Sequence, residues 1–356
     1  VVIATDGKDE RAEPLEHTDN VISLTAEQIR ERLRAAGIVG LGGAAFPSAI
    51  KLNTRGRPID TLILNGAECE SYITCDDMLA RVRADEIIAA VPIFRQVLEA
   101  QNLPVIIALE DHMVSAVAAL KAALEQSGLR RVEVRAVPSV YPEGGEKQLI
   151  QTLTGREVPT GGLPLDIGIV CQNIGTAAAA YRAIVHGEAL TSRIVTVTGE
   201  AISNPGNYEV RLGSSVADIV AAAGGYKGAP ARLIMGGAMM GFALRSDDVP
   251  LVKATNCILA AAEEEVRPDD STVMPCIRCG ECAEVCPASL LPQQLYWYSR
   301  SKEFDKAKSF NLFDCIECGA CAQACPSHIP LVQYYRYAKA EIWTEEREKS
   351  KADIAR

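Results

Sequence analysis

Eight cysteines near the C-terminal end constrain this chain more than any other feature. They form Cys276-x-x-Cys279-x-x-Cys282-x-x-x-Cys286-Pro287 and, 39 residues on, Cys315-x-x-Cys318-x-x-Cys321-x-x-x-Cys325-Pro326. Each iron of a cubane cluster needs a thiolate. This run supplies three from one tight loop, and the cysteine before proline serves the other cluster. The spacing predicts two 4Fe-4S clusters. Cys276, Cys279, Cys282 and Cys325 would hold the first, and Cys315, Cys318, Cys321 and Cys286 the second. Zinc sites use pairs of C-x-x-C across a longer spacer, a pattern these runs lack. Pro292–Phe310 reads as helix between the runs, so the cluster domain is expected to be mainly helical.

The rest of the 356 residues must then feed or receive electrons, and composition narrows how. The chain is 48% hydrophobic and 23% charged, which is globular. A net charge of −10 without a basic aromatic groove argues against nucleic acid. No apolar run reaches the roughly 20 residues of a spanning helix. Thiolate clusters require reduced cysteine and so a reducing compartment. The start, Val1-Val2-Ile3, reads as a strand in the remnant of a β unit over residues 1–24, with a second strand at Val21–Leu24. An upstream part is expected to be missing.

Residues 25–190 alternate between helix and strand. Thr25 opens a helix with a Thr-x-x-Gln capping box, and Gly37 ends it. Gly40-x-Gly42-x-x-Ala45 matches a dinucleotide fingerprint literally, but it follows a helix where the fingerprint follows a strand. Three strands are followed by loops with small, amide or acidic residues. Leu62–Asn65 leads into Gly66-Ala67-Glu68-Cys69-Glu70. Val132–Ala136 precedes Tyr141-Pro-Glu-Gly144-Gly-Glu146. Ile167–Cys171 leads into Gln172-Asn173-Ile-Gly175-Thr176. Such loops gather at one edge of an open α/β sheet and could line one crevice. Residues 191–262 read as strands around one helix, a β-grasp-like domain, with Val249–Leu259 as its last strand. Met235, Met239 and Met240 read as core filling. Residues 263–342 would be a linker and the cluster domain, and 343–356 a charged tail. Of the remaining cysteines, Cys69, Cys171 and Cys257 read as buried thiols. Cys75 opens a helix, a position that can activate a thiol.

Together, Gly40–Leu52, Asn65–Asp77, Tyr141–Gly155 and Gln172–Ala179, with the β-grasp-like segment and doubled cysteine run, resemble the C-subunit family of the Rnf complex. That complex is an ion-translocating ferredoxin:NAD+ oxidoreductase. More distantly the loops are similar to the FMN- and NADH-binding subunit of respiratory complex I. The resemblance implies a Rossmann-like FMN/NADH-binding core, an SLBB-like β-grasp domain and a two-cluster domain. It also implies FMN, NAD(H) as substrate, and an iron–sulfur partner within a membrane complex, the chain lying peripherally on the cytoplasmic face of the bacterial inner membrane. By position, Gly40, Gly42, Gly43, Ala44 and Phe46 would pack along flavin and NAD. Lys51 would lie near the flavin phosphate, Asn65 against the flavin, and Glu68 and Glu70 near the nicotinamide ribose. Tyr141, Gly144 and Glu146 would line the pocket, and Asn173 with Thr176 would hold the phosphate. The wider flavin family has glycine where Ala45 stands, proline at Ser71, and a second acid at Gly145. A cobalamin reductase with the same loops, or an electron wire whose nucleotide pocket has decayed, are the alternatives.

Overall fold

The computed structural model describes residues 7, 8, 10, 12–68, 70–266 and 272–354. The first expected strand, Val1–Thr5, and Cys69 lie outside these. Val21–Leu24 is not a strand. Val21–Ser23 is a single 3-10 turn closed by Ser23 N–H to Asn20 O and Leu24 N–H to Val21 O, both 3.1 Å. Among the described residues no strand lies beside this short segment to pair with it, and Ile22 is exposed.

Helix α1 (Ala26–Ala35) has both hydrogen bonds of the capping box between Thr25 and Gln28, and Gly37 follows at φ +68°. After the glycine loop come a single turn, α2 (Ser48–Lys51), and a four-stranded parallel sheet. The sheet contains β1 (Thr61–Asn65), β2 (Val105–Glu110), β3 (Val132–Val137) and β4 (Ile169–Asn173), in the order β3-β2-β1-β4. Helices α3 (Cys75–Val82), α4 (Ala84–Val97), α5 (Val114–Ser127), α6 (Glu146–Thr154) and α7 (Ile174–His186) connect and cover it. Alternation along β1 explains the layering. Leu62 and Leu64 join one core with α1, α4, α5 and α7. Ile63 joins a second core beneath α6. All three side chains are fully buried, each contributing about 1.5–3 kcal/mol of hydrophobic stabilisation. The strand order reverses beside β1, where Asn65 and Asn173 are register partners. This is where open α/β sheets place ligands.

The second sheet is mixed. Strands β5 (Ser192–Thr198), β6 (Gly206–Arg211), β7 (Arg232–Met235), β8 (Phe242–Ala243) and β9 (Cys257–Ala261) run in the order β6-β5-β9-β7-β8, with one helix, α8 (Val216–Ala222). The expected strand at Val249–Leu259 is shorter. Pro250 has no N–H for a ladder, and the loop before β9 pairs instead with Ser214 and Gly213 through Leu251. Only Met235 of the methionine group enters the core, whereas Met240 is 40% exposed.

The cluster domain is mainly helical. Single turns α9 (Glu281–Glu284) and α12 (Ala320–Gln323) carry the third cysteine of each run. The expected helix Pro292–Phe310 is broken into α10 (Pro292–Arg300) and α11 (Phe304–Ser309), with Lys302 at φ +60°. The Ser301 hydroxyl donates back to Trp297 O at 2.7 Å, where the helix ends. Of the charged tail, residues 343–354 continue one long helix, α13 (Leu331–Ile354). Among the described residues, no helix is long and apolar enough to cross a membrane.

Candidate functional site

The crevice is built from the carboxyl ends of β1 and β4, the Tyr141–Gly145 loop and the Gly40–Phe46 loop. Asn65 Nδ2 donates to Gly144 O at 2.9 Å, and its Oδ1 accepts from Ala67 N–H at 3.0 Å. One side chain thus fixes two of the loops. Asn173 caps α7, its Oδ1 accepting from Gly175 N–H at 2.8 Å, while Nδ2 donates to Asp76 at 2.5 Å. Thr176 Oγ1 accepts from Leu41 N–H at 2.9 Å and donates to Val39 O at 3.3 Å. Asn173 and Thr176 therefore tie the helix N-terminus to the glycine loop and to Asp76. Lys51 Nζ and Glu146 form a 2.7 Å ion pair beside the crevice.

The glycine loop is open above. A Cβ on Gly43, at φ +113°, would meet nothing within 4 Å, and Phe46 is 50% exposed. Ala45 adopts φ +49°, the left-handed region, so glycine is easier to accommodate there. Four buried polar atoms in the surrounding elements, Ser48 Oγ, Glu143 Oε1, Gln148 Oε1 and Gln172 Nε2, have no hydrogen-bond partner. A ligand rich in donors and acceptors, with a flat ring beside an exposed aromatic, fits these features.

The two carboxylates of the acidic loop are held by backbone donors. Glu68 Oε1 and Oε2 accept from Asp76 and Asp77 N–H at 2.7 and 2.9 Å, at the N-terminus of α3. Burial, then the charge on Asp76, pushes Glu68 well above the ordinary carboxylate range, and burial raises Asp76 as well. Cys75 is not an activated thiol. It is buried and donates to Glu68, and desolvation drives its pKa far up. Cys171 and Cys257 are likewise buried and pushed up to about 12. Glu70 accepts from Met239 and Met240 N–H at 3.1 and 2.6 Å, holding the loop after β7. A Cβ on Gly237 would collide with this carboxylate, so the close approach requires glycine. Both carboxylates, expected near a nicotinamide ribose, already accept from protein N–H groups.

Arg193, on β5, has a role that its local sequence does not announce. It is 6% exposed, donates to Leu41 O at 2.8 Å and to Lys253 O at 2.5 Å, and faces Cys75, Asp76 and Glu68. The second domain thereby braces the glycine loop of the first. An arginine in an alternating strand was the available signal, but its partners lie 152 and 60 residues away.

The cysteines line two cavities, four to each. One is bounded by Cys286, Cys315, Cys318 and Cys321, the other by Cys276, Cys279, Cys282 and Cys325. The cysteine before proline crosses to the other run in both cases. None of the eight is in a disulfide. Burial and then the neighbouring thiols push Cys321 up to about 12, so thiolates at these positions need a cationic group among them. An iron–sulfur cluster fits that donor set. The Cys286/315/318/321 cavity adjoins the crevice. Tyr141 donates its hydroxyl to Cys318 O, Lys147 lies 3.6 Å from Asp314, and Arg336 donates to Met240 O at 3.2 Å. In the other set, Cys279 is exposed.

Comparison with known proteins agrees with this organisation. Residues 33–182 match the Nuo51 FMN-binding domain, 194–243 the SLBB domain and 275–329 the 4Fe-4S dicluster domain. The chain is 50% identical over 315 residues to the C subunit of the ion-translocating oxidoreductase complex of Pseudomonas aeruginosa, covering 88% of this chain and 40% of that protein. Against the protein of the same name from Serratia proteamaculans it is 48% identical over 314 residues, covering 88% and 44%. The chain thus spans about two fifths of the length of these relatives. Its fold resembles a chain of an NAD+-reducing NiFe hydrogenase in the H2-reduced state, with a TM-score of 0.61, 20% identity and coverage of 91% of this chain and 64% of that one. The chain carries a Nuo51 FMN-binding domain, an SLBB domain and a 4Fe-4S dicluster domain in that order, and over most of its length it is similar to the C subunits of ion-translocating oxidoreductase complexes.

Proposed function

We propose that this chain is the peripheral electron-input module of a membrane-bound ion-translocating ferredoxin:NAD+ oxidoreductase, lying on the cytoplasmic face of the bacterial inner membrane. FMN, when bound, supplies exchange between the two-electron chemistry of NAD(H) and one-electron carriers. Gly40, Gly42, Gly43, Ala44 and Phe46 offer the open face for flavin and nicotinamide, with Lys51 and the α7 N-terminus serving the phosphate. Asn65, Tyr141, Gly144 and Glu146 set the width of the crevice, and Asn173 and Thr176 hold the phosphate end in shape. Glu68 and Glu70 brace the crevice from behind. No side-chain nucleophile is needed.

Cys286, Cys315, Cys318 and Cys321 are the inner ligand set, beside the flavin loops. Cys276, Cys279, Cys282 and Cys325 are the outer set, toward a partner iron–sulfur subunit. The observation that carries the reading is the Tyr141–Cys318 hydrogen bond, which joins the flavin loop directly to the inner cysteine loop. The test is NADH-dependent reduction of a one-electron dye by the flavin- and iron-loaded protein. Dye reduction with bleaching of the flavin band is expected. A loaded protein that NADH neither bleaches nor turns over would overturn the NAD(H) assignment.

A further inference from the structure

The two cysteine runs are copies, so their corresponding positions can be compared one by one. Glu317 stands where the first copy has Arg278, both at φ +59°. Lys339 stands where the first copy has Arg300, and Arg336 where it has Trp297. The inner copy turns these charges onto its cysteine loop. Lys339 is 6% exposed, and its Nζ donates to Cys315 O at 2.7 Å and to Glu317 at 2.8 Å. Arg336 Nε donates to the same carboxylate at 2.9 Å. The outer copy does not. Arg300 is exposed and donates to the Tyr296 hydroxyl at 3.0 Å, and Arg278 is exposed with its guanidinium 5.6 Å from the Trp297 ring centre.

A cluster gains negative charge on reduction, and its potential follows nearby charge and solvent exposure. Burial alone disfavours that added charge. A buried ammonium offsets it strongly because little water screens the interaction, whereas an exposed arginine is screened. Lys339 is the buried cation on this loop; part-exposed Arg336 shares the Glu317 carboxylate, and Lys147 lies 3.6 Å from Asp314, so the Lys339 ammonium on Cys315 O is not fully offset.

We propose that Lys339, held in place by Glu317 and Arg336, raises the reduction potential of the inner cluster and makes it the stronger electron acceptor beside the flavin loops. Lys339 is a positioning and tuning residue that contacts the ligand loop, and the inference rests on the ligand sets given above. The test is a redox titration of the cluster-loaded protein followed by electron paramagnetic resonance. Lys339→Gln is expected to move one midpoint to more negative potential, by about a tenfold change in reduction equilibrium, or about 59 mV for one electron. The second midpoint stays, and Lys339→Arg restores the first. Glu317→Gln, which removes the negative member, is expected to move the same midpoint the opposite way, and it serves as the test should Lys339→Gln not assemble. Arg300→Gln is expected to move neither. Equal shifts of both midpoints, no shift in either variant, or the same sign for Lys339→Gln and Glu317→Gln would overturn the tuning role. Fewer than two cluster signals in the unmodified protein would instead overturn the ligand sets.

Discussion

The two halves of the cluster domain share one motif and differ in nearly everything around it. Cys-Ile-x-Cys-Gly-x-Cys-Ala-x-x-Cys-Pro occurs in both, with left-handed glycines at Gly280 and Gly319. Yet Cys318 and Cys321 are buried, while Cys279 is exposed. Tyr296 and Tyr335 occupy matching places. Tyr335 is fully enclosed and donates to Pro292 O at 2.7 Å, whereas Tyr296 receives the exposed Arg300. The inner half is packed against the Tyr141 loop, the Met239–Met240 loop and Lys339. The outer half presents Val273, Met274 and Ile277, each more than half exposed, beside its cysteines. A duplicated ligand motif thus specifies two cluster sites, and the neighbouring domains decide which one faces inward.

The contrast between the halves is tested most severely at the crossing cysteines. Cys286→Ser and Cys325→Ser should each lower bound iron by about half, since each removes one of four ligands from a different cluster. Flavin reduction by NADH should persist in both. Transfer onward to a dye should fall more for Cys286→Ser if the inner set receives electrons first. Iron analysis and stopped-flow absorbance separate these outcomes.

The next largest effect is expected where the second domain braces the first. Arg193→Met leaves Glu68 and Asp76 without their buried cation and Leu41 O without its donor. A loss of about 3–5 kcal/mol is expected by chemical denaturation, with weaker flavin retention. An unchanged unfolding midpoint would remove the bracing role.

The Glu68–Asp76 pair makes stability depend on pH in an unusual direction. Folding raises the Glu68 pKa from 4.5 to about 8, so its contribution is fully present below the unfolded value and is lost as pH rises through the folded one. Stability should therefore decline from about pH 5 to pH 8, and Glu68→Gln should flatten that decline. A steeper decline in the variant would contradict the raised carboxyl. Smaller effects come last. Tyr141→Phe loses one hydrogen bond between the domains, about 0.5–1.5 kcal/mol, and should slow dye reduction more than flavin reduction. Ala45→Gly relieves a left-handed alanine and should stabilise by about 1 kcal/mol.

Much of this was written locally in the sequence. The cysteine spacing implied the crossed grouping of Cys286 and Cys325 because three ligands and a proline turn occupy one short loop. The loops after β1 and β4 were legible because strand periodicity stops at amide and small residues, and Thr25 with Gln28 announced α1. What stayed hidden depends on distant partners. Nothing local ties Glu70 to the Met239 backbone, 169 residues away, which donates to it. Arg193 and Lys339 look like ordinary surface cations until packing buries them. Cys75 illustrates the same limit, since a helix N-terminus would favour its thiolate, whereas burial beside Glu68 favours the thiol.

The decisive measurement is electron paramagnetic resonance of four single serine variants, each compared with the unmodified protein. Cys286→Ser is expected to alter the same cluster signal as Cys318→Ser, and Cys325→Ser the same signal as Cys279→Ser. If Cys286→Ser instead groups with Cys279→Ser, each run holds its own cluster and the crossed, inner–outer arrangement is wrong.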